Sequence, residues 1–361
     1  MWRKIRQYIA DHPDLFGSPI NSEDLRAILF SRQGFRRAGR QRLTWMVFHK
    51  GESAPLVVVR HYASSRWNDL IITEHKLCSD LWTDMGGQLI PQPLAIAEIG
   101  GVFCFFERGI DGIPLSTELG RRSALVSNHV QLLPLVEDHL SLAYNCINRL
   151  NMLSRSSEKA DLKRDIYSIY IQSRYFLDRI SPDDSLLLDA SFALLHRIIE
   201  VEIESRWRII HRDFVPSNIL RSSRGTFLVD WEYHEASTLW ILEPLKFVYW
   251  YLVDLAKYVY KMDLQLVFEK YLQDSSSDLL LSELDAFLIK CGIPVDDPAL
   301  KRAAWLLYFM SECGLVLSVA RERLGFSKVF LNQFRQVMGH EWLERAKSIY
   351  LLAEREREVE G

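Results

Sequence analysis

Three side chains of this 361-residue chain have the types and spacing for one particular chemistry. Asp213 opens the run Asp213-Phe214-Val215-Pro216-Ser217-Asn218, and Asp230 closes the short apolar stretch Leu228-Val229. A carboxylate facing a hydroxyl accepts or orients its proton, while an amide oxygen and a second carboxylate are hard ligands that hold magnesium against phosphate oxygens. In-line phosphoryl transfer asks little more of a protein than a positioned hydroxyl and neutralised phosphoryl charge. Read singly, Asp213 is a turn cap and Asp230 a strand end. Read jointly, with His211-Arg212 immediately before Asp213, they point to phosphoryl transfer or to its inactive relic.

The flanking residues show how such a loop is held. Ile209-Ile210 before it and Ile219-Leu220 after it are apolar anchors. Arg224-Gly225 reads as a tight turn, placing Leu220 and Thr226-Phe227-Leu228-Val229 on two strands of a hairpin that delivers Asp230. Upstream, Leu43 to Phe48 and Leu56 to Tyr62 are strand-like, with Lys50-Gly51-Glu52 as the turn between them. Helical spacing is expected from Val130 to Leu153 and from Ser191 to Ile203. Ser154 to Lys163 reads as a polar loop or insert, Ser181-Pro182-Asp183-Asp184 as a helix start, and Asp274 to Asp278 as a loop and cap. Helices then continue to a charged tail at Arg355 to Glu360.

On these residues the chain resembles the protein-kinase-like phosphotransferases, in their aminoglycoside and choline kinase branch. Protein kinases have a Lys two places after the catalytic Asp and Asp-Phe-Gly as the second motif; here those places are Val215 and Asp230-Trp231-Glu232. Within the branch, Asp213 to Asn218 with Asp230-Trp231-Glu232-Tyr233 is similar to phosphotransferases associated with surface polysaccharide assembly. The resemblance is specific over about residues 205 to 235. It implies Asp213 as catalytic base or orienter, Asn218 and Asp230 on magnesium, His211 as a brace of the loop, and Glu232 either assisting the metal or supporting its ligands.

The resemblance also implies a nucleotide-covering sheet whose strand carries a Lys paired with a Glu on the next helix. The matching place is Arg60, with Glu74 as its partner; should that register fail, Arg42 or Lys50 is the basic residue to take the part. Arg is no isostere of Lys, because its planar fork favours bidentate contact. The stretch Gly101 to Gly112, with Glu107 and Gly109 at its end, matches the hinge whose backbone meets the nucleotide base. Gly34 and Gly39 do not make the kinase glycine fingerprint, and the five Arg residues between 32 and 42 suit either anionic phosphates or plain solvation. After Asp-Trp-Glu comes an aromatic stretch in which Trp240, Tyr249 and Trp250 suit a sugar face, a cation cage or a core. The family places an Asp there that buttresses the catalytic loop; Glu243 or Asp254 is nearest, with Lys246 alongside.

Composition sets the frame. The length implies two lobes, and 44 basic against 47 acidic residues, a net charge of −3, gives no field for nucleic acid. Cys78, Cys104, Cys146, Cys291 and Cys313 are scattered, as buried free thiols are. Met1 to Arg6 lacks the apolar core of a signal peptide. Ala303 to Ala320 has nearly the length of a membrane span, but Ser311, Glu312 and Gly314 at its middle point to a buried helix instead.

The expected fold is α+β, a bilobal protein-kinase-like fold with a small antiparallel-sheet N-lobe, residues 1–109, and a larger mainly helical C-lobe, residues 110–361. The expected activity is ATP- and Mg-dependent phosphorylation of a hydroxyl on a small molecule, sugar or glycan, with GTP left open as donor. Cytoplasmic localisation is expected, with no transmembrane segment; peripheral contact with a membrane stays open. The alternative is a silent kinase-like scaffold binding a partner in glycan or envelope assembly.

Overall fold

A computed structural model of the chain describes residues 1–17, 19–31, 41–153, 162–180, 188–189, 192, 208–293 and 295–319. Gly34, Gly39, the other Arg residues of the 32–42 cluster besides Arg42, most of the expected insert at 154–163, the helix start at 181–184, most of the helix at 191–203 and the tail at 355–360 lie outside the described residues.

The strand signals around residues 43–62 become the centre of a five-stranded sheet. β1 (Leu25–Ser31), β2 (Arg42–His49), β3 (Val57–Tyr62), β4 (Pro93–Ile99) and β5 (Val102–Arg108) lie in the order β1-β2-β3-β5-β4, with antiparallel neighbours throughout. Gly100 and Gly101 both have positive φ, 65° and 85°, as a two-residue hairpin turn between β4 and β5 requires. β3 is buried along its whole length, so its alternate residues serve two different layers. Val57 and Val59 join Val47, Cys104 and Phe106 against Ile5 and Ile9 of α1 (Trp2–Asp11) and Phe16 of the short α2 (Pro13–Phe16). Each such burial contributes about 1.5–3 kcal/mol.

The helix α3 (Asn68–Asp84) packs on β3, β4 and β5. It buries Ile71, Glu74, Cys78 and Leu81, the three- and four-residue spacing of one helical face, which makes Glu74 a charge set into an apolar stripe. Its first residue is tied to the sheet, because the Asn68 side-chain oxygen accepts the Phe103 amide at 3.0 Å.

The chain divides into two units. The first comprises Met1–Glu118 together with Pro216–His234, and the second Leu119–Val215 together with Glu235–Gly361. The returning segment 216–234 joins the first unit through backbone pairing. Numbered on along the chain, β6 (Gly112–Pro114) pairs with β8 (Ile219–Ser222), which forms a hairpin with β9 (Gly225–Leu228). Leu228 also donates its amide to Leu89 O at 2.6 Å.

In the second unit β7 (Arg208–Ile210) pairs with β10 (Glu235–Ser237). Its helices are α4 (Leu115–Ser123), which begins in the first unit, α5 (Leu133–Met152), α6 (Leu162–Ile180), α7 (Leu242–Asp254), α8 (Leu264–Asp274), α9 (Leu279–Lys290) and α10 (Pro298–Val319). Aromatic rings make much of this core. Phe247 of α7 meets Phe214 at 5.7 Å and Phe287 at 5.4 Å, and Tyr249 meets Tyr308 and Phe309 at 5.5 and 5.7 Å. Tyr249 and Trp240 therefore serve packing, both buried, with Arg208 stacked over Trp240 at 4.4 Å, while Trp250 is only half-buried. The apolar stretch from Ala303 is an interior helix. Ala303 to Met310 are all buried, and among the described residues no helix is long and apolar enough to cross a membrane.

Candidate active site

In the first unit, one guanidinium gathers three carboxylates. Arg42, at the start of β2 and opposite Tyr62 in the ladder, is buried. Its Nη2 donates to both oxygens of Glu74, at 2.5 and 2.7 Å. Its Nη1 donates to Asp230 Oδ1 and, at 3.3 Å, to Glu232 Oε2. The Tyr62 hydroxyl donates to the other Glu232 oxygen at 2.9 Å. Burial pulls the Arg42 pKa down, but Glu74, Asp230 and Glu232 outweigh it and hold the guanidinium well above its ordinary value. Burial raises Glu232, against the opposing pull of Arg42. Arg42 Nε is also buried and makes no hydrogen bond among the described residues.

Asn218 comes to the same hairpin by strand pairing. Its carbonyl accepts the Val229 amide at 3.0 Å, which sets residue 218 across from the approach to Asp230. Asp230 has φ of +72°, a left-handed backbone that Asp tolerates better than most residues and that concentrates at functional positions. Trp231 is buried and donates its indole N–H to Leu228 O at 3.1 Å, pinning the turn that presents Asp230.

The second unit holds the other half of the motif. His211 is fully buried and its Nδ1 accepts the Asp213 amide at 3.2 Å. The Glu243 carboxylate, on the first turn of α7, accepts the amides of His211 and Arg212, each at 2.9 Å. Arg212 has φ of +64° and sends its Nη1 to Ser311 Oγ at 3.0 Å. Lys246, one helical turn beyond Glu243, places Nζ 4.0 Å from Asp213 Oδ1 and donates to both Glu312 oxygens at 3.1 and 3.3 Å.

No family model and no curated protein sequence matches the chain. Solved structures do. A thermostable mutant of aminoglycoside phosphotransferase APH(4)-Ia, in ternary complex with ADP and hygromycin B, aligns over 95% of this chain and 98% of its own at 12% identity, with a TM-score of 0.52. A glucosamine kinase aligns over 91% of this chain and 81% of its own at 14% identity, with a TM-score of 0.50. The fold is that of the protein-kinase-like phosphotransferases. The expected protein-kinase-like fold is thus found.

Within this kinase-like fold, the expected Arg60–Glu74 pair does not form. Arg60 sits on β3 as expected, but it pairs with Glu107 of β5, and Glu74 is held by Arg42. The ladder gives the reason. Arg60 stands beside Phe105, two residues from Glu107, so a buried acid on the neighbouring strand lies within reach. Arg42 enters from β2 beside Tyr62, at the far end of β3, where its two terminal nitrogens meet Glu74 of α3 and Asp230 beyond the hairpin. Arg42 was one of the two substitute cations that the sequence offered, with Lys50, and its burial could not be read there. Glu107 is therefore occupied by Arg60. Gly109 gives its amide to Leu56 O at 3.0 Å and receives Arg224 on its carbonyl at 3.3 Å; a Cβ there would meet Pro55 O at 1.8 Å, so the glycine is needed for close backbone approach. Of the two acids offered for the loop buttress, Glu243 is the one whose carboxylate reaches the loop amides. Lys246 and Glu312 were each noticed in the sequence, but not as partners; each is a charge within an apolar run of its helix, and buried charges seek partners.

Cys78, Cys104 and Cys146 are buried free thiols and Cys291 a half-buried one. Burial pushes Cys104, Cys146 and Cys291 up to about 12, so they are poor nucleophiles.

Proposed function

We propose that this chain is an ATP- and magnesium-dependent phosphotransferase acting on a hydroxyl of a small molecule, sugar or glycan. The observation that carries the reading is the ion pair joining Glu74 of α3 to Asp230 of the second motif through Arg42, in a kinase-like fold. Asp213 orients the acceptor hydroxyl and takes its proton, while His211 and Glu243 fix the backbone that presents it. Asn218 and Asp230 are the magnesium ligands. An amide and a carboxylate are the hard oxygen donors magnesium takes, and an ion that keeps its remaining places for phosphate and water needs no larger set of acids; the three acids around Arg42 hold its guanidinium, and among the described residues no group of three is placed to hold a metal ion. Once bound, the metal supplies positive charge against the phosphoryl oxygens.

The acceptor class rests on two supports. The solved structures of like fold include one in complex with hygromycin B and one named as a glucosamine kinase. The motif Asp230-Trp231-Glu232-Tyr233 adds the resemblance to phosphotransferases of surface-glycan assembly. The test is release of ADP or GDP from the purified chain with amino sugars, hexoses, choline and aminoglycosides as acceptors, beside Asp230→Ala. Turnover lost in the variant supports the reading. Absence of any nucleotide binding overturns it. A second reading, a scaffold that binds nucleotide without turnover, is favoured by one observation: the metal-binding acid already carries a guanidinium.

A further inference from the structure

We propose that the Arg42 guanidinium does the work of one of the two divalent cations that kinase-like sites use, so that the chain holds its nucleotide with a single metal ion. The inference rests on the phosphotransferase reading and concerns a residue whose place there the motifs do not assign.

Position comes first. Arg42 Nη1 lies between Asp230 Oδ1 and Glu232 Oε2, the two acids of Asp-Trp-Glu, and neutralises the second-motif carboxylate directly. Permanence follows. Glu74 grips the Nη2 side with two short hydrogen bonds and Tyr62 fixes the far oxygen of Glu232, so the guanidinium is anchored from α3, β3 and the hairpin together. A guanidinium does not lose its proton in a protein, and unlike an ammonium it presents several donors in fixed directions. Charge placed in advance near phosphoryl oxygens serves as a metal ion serves, at no reorganisation cost. A donor is also left over. Arg42 Nε is buried and has no hydrogen-bond partner among the described residues, an arrangement that is costly unless an anionic oxygen comes to it. A phosphate oxygen of the nucleotide is the ligand of that chemistry. The strand residue that the family gives to phosphate is committed elsewhere, since Arg60 is held by Glu107. The phosphate-binding cation has therefore moved to the neighbouring strand and turned toward the metal-binding acid.

The full chain is loaded with a non-hydrolysable ATP analogue, and bound manganese is counted by electron paramagnetic resonance. One ion per chain is expected; two, or none, overturn the proposal. ADP affinity is then measured with magnesium and with EDTA. In the wild type it should change by less than about tenfold, and in Arg42→Met by about a hundredfold or more, the scale of losing one charged donor in a sheltered site. Should Arg42→Met not fold, Arg42→Lys serves, with a metal dependence between the two. Nucleotide binding that strictly needs metal in the wild type overturns the single-ion proposal and leaves the phosphotransferase reading standing. No nucleotide binding in either condition overturns both.

Discussion

The Glu243 carboxylate accepts the Arg212 amide at 2.9 Å while its second oxygen accepts that of His211, so one side chain of α7 fixes the backbone just before Asp213, where Arg212 takes its left-handed φ of +64°. Burial pushes the Glu243 carboxyl from 4.5 up to about 7, against the pull of the two amides and of Lys246. A carboxyl raised in the folded state binds its proton more tightly there than when unfolded, so it stabilises the fold at low pH. That contribution is lost as pH rises from 4.5 to about 7. The loss is on the order of 3 kcal/mol. Asp254, pushed by burial to about 7, acts in the same sense, so only the difference from a variant isolates Glu243. Glu243→Gln should flatten that part of the pH dependence in urea denaturation at pH 5 and pH 8. It should also cost about 1–3 kcal/mol, because an amide N–H then faces a backbone N–H. An unchanged pH profile would remove Glu243 from this role.

Asp213 is predicted to separate chemistry from binding. Asp213→Asn keeps the shape and its contact with the His211-braced backbone, so fold and nucleotide affinity should persist while transfer falls by about 10²-fold or more. Stopped-time ADP release beside nucleotide titration checks this, and full turnover in the variant would assign the proton to another group.

Arg60 and Glu107 form a buried pair inside the sheet, and the prediction is structural. Arg60→Met leaves Glu107 uncompensated and should cost about 3–5 kcal/mol, whereas Arg60→Met with Glu107→Leu should recover most of it. Coupling of this size in a double-mutant cycle would establish the pair as one unit. Nucleotide-induced thermal stabilisation of the double variant should stay near that of the wild type, in contrast to Arg42→Met.

Lys246 and Glu312 are each nearly inaccessible and hold one another across α7 and α10. Either Lys246→Met or Glu312→Leu alone strands a buried charge, with an expected loss of about 3–5 kcal/mol, and the two together should be far milder. Because Lys246 Nζ also lies 4.0 Å from Asp213, Lys246→Met should lower turnover more than Glu312→Leu does. Equal effects on rate would mean that the pair acts on stability alone.

The motif of Asp213, Asn218 and Asp230 was legible in the chain because its parts are close in sequence and chemically distinctive. An Asp, an Asn five places on and an Asp ending a short apolar strand carry their meaning in spacing, and the hairpin that joins them is local, closed by Gly225. The strands at 43–62 were legible for the same reason, since a hairpin and its alternation are short-range properties. Which cation meets which acid was not. Arg42 and Glu74 are 32 residues apart and Arg42 and Asp230 are 188 apart. Their meeting depends on the register of β2 against β3, on the rotation of α3 that buries Glu74, and on the return of residues 216–234 to the first unit. A one-residue change in any of these would turn a different side chain inward. The same holds for Lys246 and Glu312, which the sequence names separately and only the packing of α7 against α10 joins. Sequence thus determined which residues are proposed for the chemistry; tertiary structure decided their partners, because buried charge is settled by long-range geometry that no local pattern encodes.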